Sequence, residues 1–269
     1  MRSRRSWAIV LGVALLTGCS PGSSSNTSSP RTSREPASHR STPTAGTPTL
    51  QVGRVTVYVC RTCIQAARDR GTNLARTIEH SIRRIDQLLS LPTAYVDVTD
   101  DPKATIPGIG VGGESLGARV PLALDPGFRR FEWTVRVRVP MILAHELAET
   151  KRSLDGPGGS TSLLDWLVTD GIADHFALQA FPGSPRNPWD HALSRSQERD
   201  LWRLARRHLD DFIRFATWFF GSKAIPRWTG YTLGFDLVGS YLSRHPGATP
   251  ADLVLIDART ILRGSGFSP

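Results

Sequence analysis

Two stretches constrain this 269-residue chain more than anything else in it, Val139 to Glu149 and Leu163 to Phe181. The first contains His145-Glu146-Leu147-Ala148-Glu149, the second Asp170-Gly171-Ile172-Ala173-Asp174-His175. Helical residues four apart share a face, so His145 and Glu149 aim at one spot. Glu146 lies about 100° round from His145, beside that spot. Two donors holding a metal, with a carboxylate placed to serve its bound water, need this geometry. The pentapeptide alone is a weak signal, because His and two Glu on an amphipathic helix more often form a solvated face. Asp170, 21 residues after Glu149, strengthens it as a third candidate ligand on the next helix.

The elements around these helices follow from periodicity. Val55 to Cys60 is β-rich and predicts a strand. From about Ile64 to Leu89 apolar residues recur every three or four positions, which predicts a helix that Gly71 breaks or kinks, with Thr72 as a fresh N-cap, and that Pro92 stops. Ala94 to Val98 and Arg119 to Leu124 predict two more strands. Between them Pro107 to Gly113 is glycine-rich; no Lys-Ser/Thr pair follows, so it predicts a strand edge or loop near the cleft rather than a phosphate cradle.

Pro140 fits the first turn of a helix from Val139, or a kink in a longer one from Trp133. Thr161 or Ser162 caps the next helix, and Gly171 within it suggests close approach to the His145 helix. Ser194 with Gln197 opens a helix expected to run through Leu209, Phe212 and Phe215. Thr229 to Ser243 forms another, and Thr249-Pro250 starts a last one. Strands first and helices after predict an α+β fold, a small N-terminal sheet packed on a mostly helical body.

The N-terminus reads as an address. Arg2, Arg4 and Arg5 precede an apolar run from Trp7 to Leu16, too short to span a bilayer, and Leu16-Thr17-Gly18-Cys19 resembles a bacterial lipobox. Residues 1–19 are therefore expected to be a lipoprotein signal, Cys19 the lipidated residue, 20–49 a Ser/Thr/Pro tether, and 50–269 the folded domain. That places the protein on the outer face of the cell membrane. The formal charge of +9 loses three Arg with the signal and a net two with the tether, which leaves +4 on the body. So small an excess gives little support to a nucleic-acid partner, and none is expected.

Cys60 and Cys63 are the remaining thiols, and outside the cytoplasm they are expected to be oxidised to each other. A CxxC after a strand can be a redox pair, but no thioredoxin-like βαβ series follows it. A local disulfide pinning the strand-to-helix turn is the preferred reading.

In its motifs the chain resembles the bacterial predicted zinc-dependent proteases that carry HEYHH and, further on, EGLAEH. The likeness runs through Leu143-Ala144-His145-Glu146, Leu163-Leu164-Asp165, Gly171-Ile172-Ala173-Asp174-His175 and Gly230 to Val238, with Gly108 to Gly113 and Leu124-Asp125-Pro126 upstream. It implies a zincin-like body and a peptide or protein substrate. Carried over by position, His145 is the first ligand and Glu146 the base. Glu149 stands where the second His belongs, and Asp170 where the Glu of EGLAEH belongs. For His175 two readings stand, oxyanion stabiliser or plain helix-face histidine. Tyr231 is a candidate second oxyanion donor, with a core tyrosine the preferred reading.

The two departures have a physical meaning. Two His and one Glu leave a zinc site at +1, whereas His145, Glu149 and Asp170 leave it neutral, with a less acidic water. The divalent metal implied by the resemblance is zinc, and an oxygen-rich set moves preference toward Mn²⁺, Mg²⁺ or Ca²⁺. Three functions follow: a tethered metallopeptidase, a degenerate relative acting as a binding or scaffold lipoprotein, and a thiol-redox protein using Cys60 and Cys63.

Overall fold

The computed structural model describes residues 49–157, 161–212 and 215–269, which belong to one packed unit. The expected signal, Cys19 and nearly all of the tether lie outside the described residues.

Five strands form one sheet in the order β1-β2-β3-β5-β4. β1 (Thr49–Val52) turns back at Gly53 to pair antiparallel with β2 (Val55–Val59). β1 was not expected, because four residues at the end of a polar tether carry almost no periodic signal. β2 runs parallel to β3 (Ala94–Asp100), and β3 parallel to β5 (Arg119–Leu124). β4 (Val111–Gly113) closes the edge, antiparallel to β5. The glycine-rich stretch is thus a turn that ends in a strand edge.

The crossover from β2 to β3 consists of α1 (Arg61–Asp69) and α2 (Leu74–Leu89). Gly71, at φ +68°, separates them, and the cap of α2 is Asn73, whose side chain accepts from the Arg76 amide; Thr72 does not fill that role. Cys60 and Cys63 are joined by a disulfide across the first turn of α1. Because β2 and β3 are parallel, one βαβ-type connection follows the CxxC. α2 buries Leu74, Ile78, Ile82, Ile85 and Leu89. Each such side chain is worth roughly 1.5–3 kcal/mol when fully buried.

The helical body begins with α3 (Phe131–Trp133), passes through a π-helical turn at Thr134–Arg138 and continues as α4 (Val139–Asp155). Pro140 has no N–H to donate four residues back, and its ring crowds that carbonyl. A widened turn just before it lets the helix run on. α4 is buried on nearly all sides, as is α5 (Leu163–Ala180), which lies between α4 and α8 (Thr229–Arg244). Ser162 caps α5 in a reciprocal box with Asp165.

Gly171 does mark a close approach, but to α8. A methyl at Gly171 would land on the backbone carbonyl of Gly234, and one at Gly234 on that of Leu167.

After a 3₁₀ turn (Pro188–His191), α6 (Arg195–Ala205) opens with the expected Ser194/Gln197 box but stops well short of Phe215. The chain leaves the helix so that the carbonyls of Leu209 and Asp211 can accept from the Leu164 and Leu163 amides, orphan donors of α5. Phe212, expected on the apolar face, is 86% exposed. α7 (Phe215–Phe219) follows. After α8 come α9 (Pro250–Leu253), capped by Thr249, and α10 (Ala258–Ser265).

Candidate metal centre

Antiparallel contact of α4 with α5 brings His145, Glu149 and Asp170 together, with one donor atom from each within 4.8 Å of the others. His145 Nε2 lies 3.5 Å from Glu149 Oε1 and 3.8 Å from Asp170 Oδ1. Donors at about 2.0–2.2 Å from a tetrahedral ion stand about 3.3–3.6 Å apart, so the group is near ligand spacing.

Two further observations test the fit. Among the described residues Asp170 Oδ2 is buried without a hydrogen-bond partner, a costly state for a carboxylate that a cation would relieve. His145 Nδ1 is engaged by Asp174 Oδ1 at 2.9 Å, which makes Nδ1 the protonated nitrogen and leaves Nε2 as the lone-pair donor. The residues present fit a divalent metal.

Asp174 is itself fixed. Its Oδ1 also accepts from Asn187 Nδ2 at 3.1 Å and its Oδ2 from Trp189 Nε1 at 3.0 Å, and the residue is fully buried. Asn187 in turn accepts from Arg138 Nη1 at 2.9 Å, so a buried polar chain runs from the π-helical turn to His145. Sequence reasoning gave Asp174 no role, although it lies one helical turn beyond Asp170 and hence on the same face. Asn187 and Trp189 carried no local signal at all.

The electrostatics are those of several carboxyl groups sharing little water. Burial pushes Glu146 up to about 8; Glu149, Glu114 and Asp174 add to this and His145 opposes it. Burial also raises Asp170 well above the carboxylate range, with Glu149 the main charged contributor. Burial would lower His145, but the charge and hydrogen bond of Asp174, with Glu149, outweigh it and hold His145 well above its ordinary value. Glu146 is 5% exposed and faces β4, where a Cβ at Gly113 would come within 2.7 Å of Glu146 Oε1.

The two other candidates separate. Tyr231 packs among Trp189, Phe215 and Phe219, and its phenol is raised by burial and then by the charges of Asp170 and Glu149. His175 is not brought to the group. Its Nε2 donates to the Phe235 carbonyl at 2.9 Å and its ring stacks on Phe235, toward α8. One residue past Asp174 is about 100° round the helix, so the motif's histidine faces away.

Residues 131–263 match the family described as Predicted Zn-dependent protease (DUF2268). That segment runs from α3 into α10 and contains every residue of the His145 group. The helical half of the chain is thus similar to that family of predicted Zn-dependent proteases. A Bacillus subtilis (strain 168) protein, Uncharacterized protein YjfC, is 28% identical over 147 residues, covering 48% of each chain. The chain thus spans about half the length of that curated relative. The sheet, with the Gly108–Gly113 stretch, precedes the segment matched to the protease-like family.

Proposed function

We propose that this protein is a metal-dependent peptidase, held at the outer face of the cell membrane by a lipid on Cys19. What carries the reading is one arrangement: a lone-pair nitrogen of His145, fixed by Asp174, facing Glu149 and Asp170 Oδ1, with Asp170 Oδ2 buried and without a hydrogen-bond partner among the described residues. A divalent cation held by these three residues would polarise a peptide carbonyl and acidify the water beside it. Zinc is favoured by the family, and the two carboxylates also suit Mn²⁺ or Ca²⁺.

The chain's own residues supply the rest. Glu146, on the helical turn of His145, takes and returns the proton at its carboxylate, and its buried setting raises its basicity toward that task. Asp174 keeps His145 in one tautomer. β4 shields Glu146 from bulk water at Gly113. In this reading Tyr231 would donate its phenol proton to a developing oxyanion.

The address supports anchorage. A basic start, a short apolar run and Leu16-Thr17-Gly18-Cys19 precede a polar tether, and among the described residues no helix is long and apolar enough to cross a membrane. A second reading rests on Glu149 in the place of a ligand histidine: a neutral site, poor as an electrophile, in a protein that binds peptides without cleaving them.

A mixed peptide library, incubated with metal-loaded protein and read by mass spectrometry, separates the two. The peptidase reading predicts cleavage that chelation abolishes and that Glu146→Gln lowers about 10²–10⁴-fold, with metal retained. Intact peptides with a fully loaded site would instead establish the binding protein.

A further inference from the structure

We propose that Cys60 and Cys63 form a reversibly exchangeable disulfide that accepts two electrons from a dithiol, a chemistry separate from the His145 group. The pair bridges the end of β2 and the first turn of α1. Cys60 is the N-cap and is half-buried, whereas Cys63 is completely buried. Cys60 is thus the more accessible residue of the two, and the one an incoming thiolate would attack.

The surroundings of Cys60 favour its thiolate. It stands at the positive end of a nine-residue helix whose first turn has no acidic residue, and its neighbour Arg61 is exposed. Such a position lowers a thiol's pKa.

The topology supplies an independent observation. β2 and β3 are parallel, and the Cys60 amide donates to the Val98 carbonyl on β3 at 3.0 Å. The pair thus lies at the carboxyl end of a parallel strand where the crossover helix begins, the place where open parallel sheets present reactive groups.

A purely structural role is the poorer account. A staple gains most when it closes a long loop, and these cysteines are three positions apart, so their bond restrains little of the unfolded chain. The surrounding core is already dense, with Val55, Val57, Val59, Ala67, Leu74 and Ile78 buried.

A donor thiolate attacks Cys60 Sγ and forms a mixed disulfide; the Cys60–Cys63 bond breaks, and its electron pair leaves on Cys63 Sγ, which takes a proton from water. The donor's second thiol loses its proton and attacks the donor sulfur of the mixed disulfide, releasing the Cys60 thiolate. The donor ends as a disulfide, two electrons poorer, and Cys60 and Cys63 end as the reduced pair.

The test equilibrates the full chain with millimolar glutathione buffers of graded ratio, traps free thiols by alkylation and maps them by peptide mass, which separates Cys60 and Cys63 from Cys19. The proposal predicts that both become reduced together, reversibly, with the rest of the fold unchanged by circular dichroism. A pair still oxidised in the most reducing buffer would overturn it. The second measurement is the pH dependence of alkylation in Cys63→Ser, where the Cys60 thiol should titrate clearly below the usual value of about 8.5. Titration at or above that value would also overturn it.

Discussion

Asp174 Oδ1 stands 2.9 Å from His145 Nδ1, and this contact decides which nitrogen of His145 is offered to Glu149 and Asp170. With Asn187 and Trp189 also donating to it, Asp174 has no freedom to turn away. Loss of such an outer partner usually lowers metal affinity about 10–100-fold. Asp174→Asn is therefore expected to weaken metal binding by that factor, measured by competition with a chromophoric chelator. Unchanged affinity would mean that His145 needs no such support.

Glu149 stands where the resemblance calls for histidine, and the substitution sets the charge of the site. Glu149→His restores a net positive charge with zinc and replaces a hard donor with imidazole. The variant is expected to favour Zn²⁺ over Mn²⁺ more strongly than the parent, read as the ratio of the two dissociation constants. An unchanged ratio would show that residue 149 does not touch the metal.

Gly171 and Gly234 let α5 and α8 meet backbone to backbone. A methyl at either position has only a carbonyl to meet, and overpacking of a dense core typically costs about 1–3 kcal/mol. Gly171→Ala and Gly234→Ala should each lower the urea midpoint accordingly. The double variant should fall short of the summed losses, because one displacement of the helices relieves both clashes. A neutral Gly171→Ala would contradict the close packing.

Glu198 and Asp236 form a carboxyl pair between α6 and α8. Burial first, then the charge and hydrogen bond of Asp236, raise Glu198 to about 7, and burial raises Asp236. In the unfolded chain both release their protons near pH 4, so between there and about pH 7 the folded form holds more protons. Stability contributed by the pair must fall as pH rises through that window. Melting temperatures at about pH 5 and about pH 8 should show a smaller drop for Asp236→Asn than for the parent. Equal drops would mean that the pair does not titrate together.

The parts legible in the sequence were those written locally. Spacing of four on one helix, and a carboxylate on the next, sufficed to bring His145, Glu149 and Asp170 to one place. The β-rich run of β2 and the caps at Ser162, Ser194 and Thr249 likewise needed only their neighbours. What escaped depends on contacts distant in sequence. The helix of Ser194 stops at Ala205 because α5 needs the carbonyls of Leu209 and Asp211, which no local pattern announces. Gly171 told of a close approach without naming α8. Asn187 and Trp189 reach Asp174 from a turn with no periodicity of its own. His175 belongs to a matching motif, yet its position on the helix turns it toward Phe235.

The most direct test of the central claim is elemental mass spectrometry of the purified chain after incubation with Zn²⁺, Mn²⁺ and Ca²⁺, repeated on His145→Ala and Asp170→Ala. The account predicts about one bound metal ion per chain, lost in both variants while circular dichroism stays unchanged. No metal in the parent, or metal retained by both folded variants, would contradict a centre built on His145 and Asp170.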